Sequence, residues 1–277
     1  MALPEGFVFS ESNLQDYRDC PRRFQLRYLE RRTWPAPQTA NALESERRMR
    51  LGQAFHRLMR QLHSGVPPGA LEPVARTEAE LSICWDNYLT APPQGLPTAL
   101  REPELTLGVG LRGHRLEARY DLLAGEPGGR WVILDWKTAA HRTLRPVLRD
   151  RVQTRVYPWV LVSAGAGLNA DAPLAPQQVE MIYWFAEFPG QPERFAYDPE
   201  QLAADGAFLE QLVHEIEERP ADGYALTDDR RQCRHCVYGS LCWEDVPAGQ
   251  WDEQPDLEAP ESALDELDLE AIAPIPF

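Results

Sequence analysis

HRLEARYDLLAGEPGGRWVILDWKT, residues 114–138, is where the chain changes period. Apolar and polar residues alternate in RLEARYDLL, and WVILDWKT is an almost unbroken apolar run rich in β-branched residues. GEPGG at 125–129 lies between them and reads as a turn, so the stretch predicts two antiparallel strands, His114–Ala124 and Arg130–Thr138. Pro103–Gly110, joined by LRG at 111–113, adds a third strand to the meander. Side chains alternate faces along a strand, so Asp135 and Lys137 point one way and Trp136 the other, toward packing. The hairpin sets Asp121 beside Asp135, and two carboxylates there suit Mg²⁺ or Mn²⁺. Lys137 would orient or help deprotonate an attacking water.

The flanks are helical. Ser10 or Ser12 caps a short helix, Pro21 opens a second over Pro21–Arg32, and 33–43 reads as a loop. Leu51, Phe55, Leu58, Met59 and Leu62 repeat at helical spacing in a helix over Glu44–His63, stopped by Gly65. Another helix covers Arg76–Leu89. Beyond the meander come a helix from Leu148 to Ala164, bent near Pro158, a buried strand at Val179–Phe188 and a helix at Pro199–Glu218. The whole predicts an α/β core of order αβββαβ over about 100–190. Helices of 10–90 and the segment 198–245 serve as a cap.

The net charge of −15 is unevenly spread. Trp243–Phe277 holds eleven acidic residues and no Lys or Arg; the rest of the chain has 32 acidic against 28 basic residues. Arg18–Arg60 holds eleven Arg against four acidic residues, so the body is locally basic, which is what phosphate contacts depend on. Residues 246–277 read as an acidic, disordered tail. The chain has 27 Arg and one Lys, Lys137, a compact ammonium where arginine would present a broad fork. That single Lys also rules out a Walker A loop in addition to the strand site. No apolar run approaches a membrane span and the N-terminus does not read as a signal peptide, so the expected location is the cytoplasm.

Cys233-x2-Cys236-x5-Cys242 is compact, and Cys20 lies in DYRDCPRRF near the other end. In a cytoplasmic protein such spacing argues for metal rather than disulfides. Four thiolates suit tetrahedral zinc, with His235 able to substitute, as well as they suit iron–sulfur. Cys84 belongs to no cluster and reads as a buried apolar residue.

The block RLEARYDLL…WVILDWKTA…QTRVY resembles the G-x-x-D, D-x-K and Q-x-x-x-Y motifs of RecB-like PD-(D/E)XK nucleases. The match falls on Asp121, on Asp135 with Lys137, and on Gln153 with Tyr157; the motif glycine is Ala118 here. LGQAFHRLM resembles the upstream helix of that family, which implies His56 as a metal ligand. Glu102 in REPELTL resembles a further acid before the second motif, with Glu104 the competing position. The cysteines resemble the iron–sulfur staple of the AddB type and of CRISPR-adaptation nucleases, implying a [4Fe–4S] cluster on Cys20, Cys233, Cys236 and Cys242 that closes the helical cap. The resemblance implies metal-dependent hydrolysis of DNA, chiefly single-stranded DNA or DNA ends, in recombination or repair, beside a helicase partner. A catalytically weak DNA-binding or scaffold subunit, stapled by iron–sulfur or zinc, is the alternative. The ending DELDLEAIAPIPF resembles the C-terminal tip of bacterial single-stranded-DNA-binding proteins, implying docking on repair proteins; an autoinhibitory or a solubilising tail are the other readings.

Overall fold

The computed structural model describes residues 3–32, 40–233 and 236–243, with side chains in the third helix described from Arg47. The readings of His235 and of the acidic tail lie outside the described residues. A short strand, β1 (Val8–Ser10), leads into α1 (Glu11–Asp19). Ser10 is its N-cap: Ser10 Oγ accepts from the Asn13 N–H, and Asn13 Oδ1 accepts from the Ser10 N–H at 3.0 Å. After α2 (Pro21–Phe24) the backbone widens into a π-helical turn, Gln25–Leu29, where one continuous α-helix was expected. Then follow α3 (Ala40–His63), α4 (Pro68–Ala75) and α5 (Ala79–Thr90). The meander is β2 (Leu100–Leu111), β3 (His114–Gly125) and β4 (Trp131–Lys137). A crossover through α6 (Arg145–Asp150) and α7 (Val152–Ala164) reaches β5 (Val179–Phe185). β6 (Glu193–Ala196), α8 (Pro199–Glu218) and α9 (Gly239–Cys242) complete it.

β3 organises the six-stranded mixed sheet. One edge pairs with β2 antiparallel, from Leu100↔Gly125 to Leu111↔His114. The other is shared by two strands: β1 runs parallel to Arg115–Glu117, and β4 runs antiparallel to Leu122–Gly125. Between them, the β1 ladder stops at Glu117 and the β4 ladder begins at Leu122, so residues 118–121 of β3 lie between the two ladders. β4 then pairs with β5 in parallel, and β5 with β6 antiparallel.

Helices cover both faces, which is why β4 is buried at every position and reads as a continuous apolar run. Ile133, Met181 and Tyr183 pack with Val156 and Val160 of α7 and Leu209 of α8. Val132, Leu134, Trp136 and Trp184 pack with Phe55 and Met59 of α3 and Trp85 and Tyr88 of α5. There His63 stacks on Trp136 with ring centroids 5.8 Å apart, and Tyr88 stands edge-on to the same indole at 5.3 Å. Cys84 lies in this second core, where burial pushes its thiol up to about 12, as an inert apolar residue requires.

The crossover differs from expectation. The helix breaks at Arg151, in extended conformation, rather than at Pro158, which α7 absorbs. Two short strands, β1 and β6, and the helix α4 were not foreseen. Three- and four-residue strands are too short to display a period, and α4 hides its start among Pro67, Pro68 and Gly69.

Candidate active site

The register of the β2–β3 hairpin decides which residues meet. Its loop has two residues, Arg112 and Gly113, with φ of 51° and 83°, as in a type I′ turn. Leu111 therefore pairs with His114, and counting along the ladder sets Glu104 opposite Asp121. Glu102 instead pairs with Leu123, two rows away. This corrects the assignment of the additional acid from Glu102 to Glu104; the expected three-residue turn, LRG, gives neither. Glu104 has φ of 56°, and the ladder is interrupted at this row. A non-glycine residue there costs on the order of 1–3 kcal/mol, the kind of strain that collects at functional sites.

His56 reaches the same place from α3. Gly52, one turn earlier, lets the helix sit close: a Cβ there would lie 2.9 Å from Thr138 Oγ1. His56 Nδ1 is 3.2 Å from Asp121 Oδ1, and the Trp136 backbone N–H donates to Asp121 Oδ2 at 2.8 Å. Asp121 thus fills the gap where β3 and β4 stop pairing. Burial pushes its carboxyl upward, but His56, the Trp136 N–H and the Lys137 charge together hold it below the usual carboxylate value. One ligand atom each from His56, Glu104 and Asp121 lies within 4.8 Å of the others, the only such group of three among the described residues. Arg119 Nε donates to Glu104 Oε2 at 2.7 Å, so this carboxylate is also an ion-pair partner.

Asp135 stands apart from that group. Its Oδ2 is 2.9 Å from Lys137 Nζ, and its Oδ1 accepts from Gln153 Nε2 at 2.7 Å. Lys137 also donates to Gln153 Oε1 at 3.3 Å, and both charged residues are almost wholly buried, at 1% and 3% exposure. Asp121 and Asp135, expected to share one ion, belong to two adjoining halves of the site. Asp121 looks to α3 and Asp135 to α7, because an ammonium this deeply buried needs its own counter-charge. Tyr183, which sequence reading did not single out, extends the second half. Burial keeps its phenol protonated, so it donates to Gln153 Oε1 at 3.4 Å, and its oxygen is 2.6 Å from Thr154 Oγ1. The register Asp135↔Tyr183 puts it there, a pairing invisible until β5 is aligned. Tyr157 shares α7 with Gln153, but its ring lies in the core, 5.2 Å from that of Tyr120.

Away from these residues in sequence, Cys20, Cys233, Cys236 and Cys242 line one cavity of about 20 Å³, together with Arg23. Burial raises the Cys236 and Cys242 thiols, the latter to about 11. Among the described residues no three of the four sulfurs lie mutually within 4.8 Å. The walls are tied across the chain: Tyr238 donates its hydroxyl to the Arg32 carbonyl at 2.8 Å, and Gln25 Nε2 donates to the Ala221 carbonyl at 3.1 Å.

An acid-bearing strand pair, a lysine on the second strand and an imidazole brought alongside by a helix make the working end of a hydrolytic nuclease. The chain belongs to the PD-(D/E)XK nuclease superfamily, whose family model matches residues 8–243. Two solved structures are similar to it. The crystal structure of SSO0001 covers 89% of this chain and 90% of its own, at 15% identity and a TM-score of 0.43. That of a candidate exonuclease from Eubacterium rectale covers 76% and 79%, at 10% identity and a TM-score of 0.45. No curated protein matches the chain. Among the described residues, no helix is long and apolar enough to cross a membrane.

Proposed function

We propose that this nuclease is a Mg²⁺- or Mn²⁺-dependent deoxyribonuclease of the RecB-like type, an exonuclease on single-stranded DNA or DNA ends that serves recombination and repair. The observation that carries the reading is the His56–Glu104–Asp121 group beside the buried Lys137–Asp135–Gln153 set. One imidazole and two carboxylates suit a hard divalent cation, and the imidazole tips the choice toward Mn²⁺. When bound, the ion polarises the scissile phosphate and lowers the pKa of a coordinated water. Gln153 and Asp135 hold the Lys137 ammonium in one orientation, so its charge is already placed when negative charge builds on the phosphate. Glu104, which accepts from Arg119, would supply the second carboxylate to the ion. The test is cleavage of end-labelled and circular single strands with each ion. An exonuclease degrades the first and spares the second, whereas a DNA-binding or scaffold subunit binds both and cuts neither.

The same reading assigns a [4Fe–4S] cluster to Cys20, Cys233, Cys236 and Cys242. Four thiols on one cavity supply its ligand set. Tetrahedral zinc would use the same four thiolates, so the choice of iron–sulfur rests on the resemblance of the cysteine pattern. Arg23 beside the cavity offsets the thiolate charge. Iron with a broad absorption near ~400 nm supports the cluster; stoichiometric zinc without it sinks the assignment. We also read the acidic tail as a docking segment for a helicase or repair protein. Deleting Pro274–Phe277 should then abolish that binding and leave cleavage of naked DNA unchanged.

A further inference from the structure

Beyond the metal-binding half, the crossover from β4 to β5 carries a cavity of about 350 Å³ lined by Arg145, Pro146, Arg149, Asp150 and Arg155. That is the lower part of the ~300–1,000 Å³ range of ligand sites. Two of its guanidiniums are braced. Arg155 is 3.1 Å from Asp205 Oδ1 and lies over the Phe208 ring at 4.5 Å; Arg145 is 2.8 Å from Glu193 Oε2 and lies over the Phe195 ring at 4.3 Å. Each keeps donors to spare, since a guanidinium has five N–H groups and one carboxylate uses at most two or so. Arg149 is exposed and makes no ion pair among the described residues. The carboxylates nearby are engaged: Asp150 by Arg18, Asp205 by Arg155, and Glu193 by Arg142 as well as Arg145. The cavity thus lines up three guanidiniums against one carboxylate, Asp150, which Arg18 engages.

Its place in the chain matters as much as its charge. Asp135, Tyr183 and Glu193 form one row across β4, β5 and β6, and Glu193 holds Arg145 of this cavity, so the cavity lies two strands along from the Asp135–Lys137 pair. α6 follows Lys137 after a short connection, and beside its arginines it exposes two apolar side chains, Leu144 at 65% and Val147 at 52%. Guanidiniums next to exposed apolar groups suit a backbone phosphate with unpaired base faces alongside.

We propose that this pocket is a phosphate-holding subsite for the single strand, next to the cleavage site, with Arg145 and Arg155 as fixed donors and Arg149 as the mobile one. The proposal rests on the nuclease reading for its choice of strand. The test uses the full chain in EDTA, where cleavage is off, and measures binding of a labelled thymidine oligonucleotide against salt. Arg149→Ala should weaken binding roughly fivefold whatever the base sequence and lower the slope of log affinity on log salt by about 0.7, while Arg149→Lys retains most of both. Manganese-dependent hydrolysis of bis(p-nitrophenyl) phosphate, too small to reach the pocket, should be unchanged in Arg149→Ala. An unchanged oligonucleotide affinity and slope would overturn the subsite. So would polyglutamate or inorganic phosphate competing as well as the oligonucleotide at equal charge, which would assign the pocket to an acidic protein or a free anion. If Arg149→Ala loses binding while the wild-type chain cuts no phosphodiester, the nuclease reading fails and the subsite stands.

Discussion

Lys137 and Asp135 form an ion pair with almost no access to water, and that sets what their substitutions do. Removing one partner strands the other charge in a low-dielectric interior, at a cost of about 3–5 kcal/mol. Lys137→Ala should therefore lose both cleavage and stability, and its inactivity alone would say little. The double variant Asp135→Asn, Lys137→Met removes both charges together. It should recover most of the lost stability in denaturant titration and remain inactive; an active double variant would remove Lys137 from the chemistry. Glu104 offers a second separation of chemistry from folding. Its backbone is left-handed, so Glu104→Gly should be more stable than Glu104→Ala by about 1 kcal/mol, with both variants losing manganese binding by calorimetry. Glu102→Gln should leave that binding intact, because Glu102 sits opposite Leu123 rather than Asp121.

The helix α3 does two jobs, and each can be measured. Near its end, burial and then the Arg101 charge lower His63 to about 4, overriding the helix C-terminus that would favour a proton. An unfolded histidine titrates near ~6.5, so between that value and about 4 the unfolded chain binds the extra proton and stability falls as pH falls. The loss, discounted for partial exposure, is of order 2 kcal/mol; His63→Gln should flatten that part of the stability profile. One turn before His56, Gly52→Ala meets Thr138 and pushes the helix outward, so it should weaken metal binding severalfold without touching a ligand. The meander was legible in the sequence because its strands are long and one is buried on both faces. Asp121, Lys137, Gln153 and His56 were legible with it. What escaped depended on register. A turn one residue shorter than expected moves Asp121 from facing Pro103 to facing Glu104, and Tyr183 joins the site only through the pairing of β5 with β4. That Asp121 meets His56 of α3 while Asp135 meets Gln153 of α7 depended on which helix each reaches, which strand alternation alone does not fix.

At the scale of the whole molecule, Cys20 and the segment Cys233–Cys242, far apart in sequence, line one cavity. On the iron–sulfur reading, Cys20→Ser removes one ligand and loosens both terminal segments, so iron content and melting temperature should fall together although the other three cysteines remain. Unchanged iron and melting temperature would exclude Cys20. The two-residue turn at Arg112–Gly113 carries a different consequence, one of time. A hairpin so tightly closed forms within about 1–10 μs, long before contacts distant in sequence are made. Glu104 and Asp121 lie on that hairpin, so the two carboxylates face each other early in refolding. His56 arrives only when α3 docks, and Lys137 settles only when the crossover brings Gln153. By loop length alone the carboxylate pair is the part of the site expected to form first, with His56 and Gln153 joining through contacts more distant in sequence.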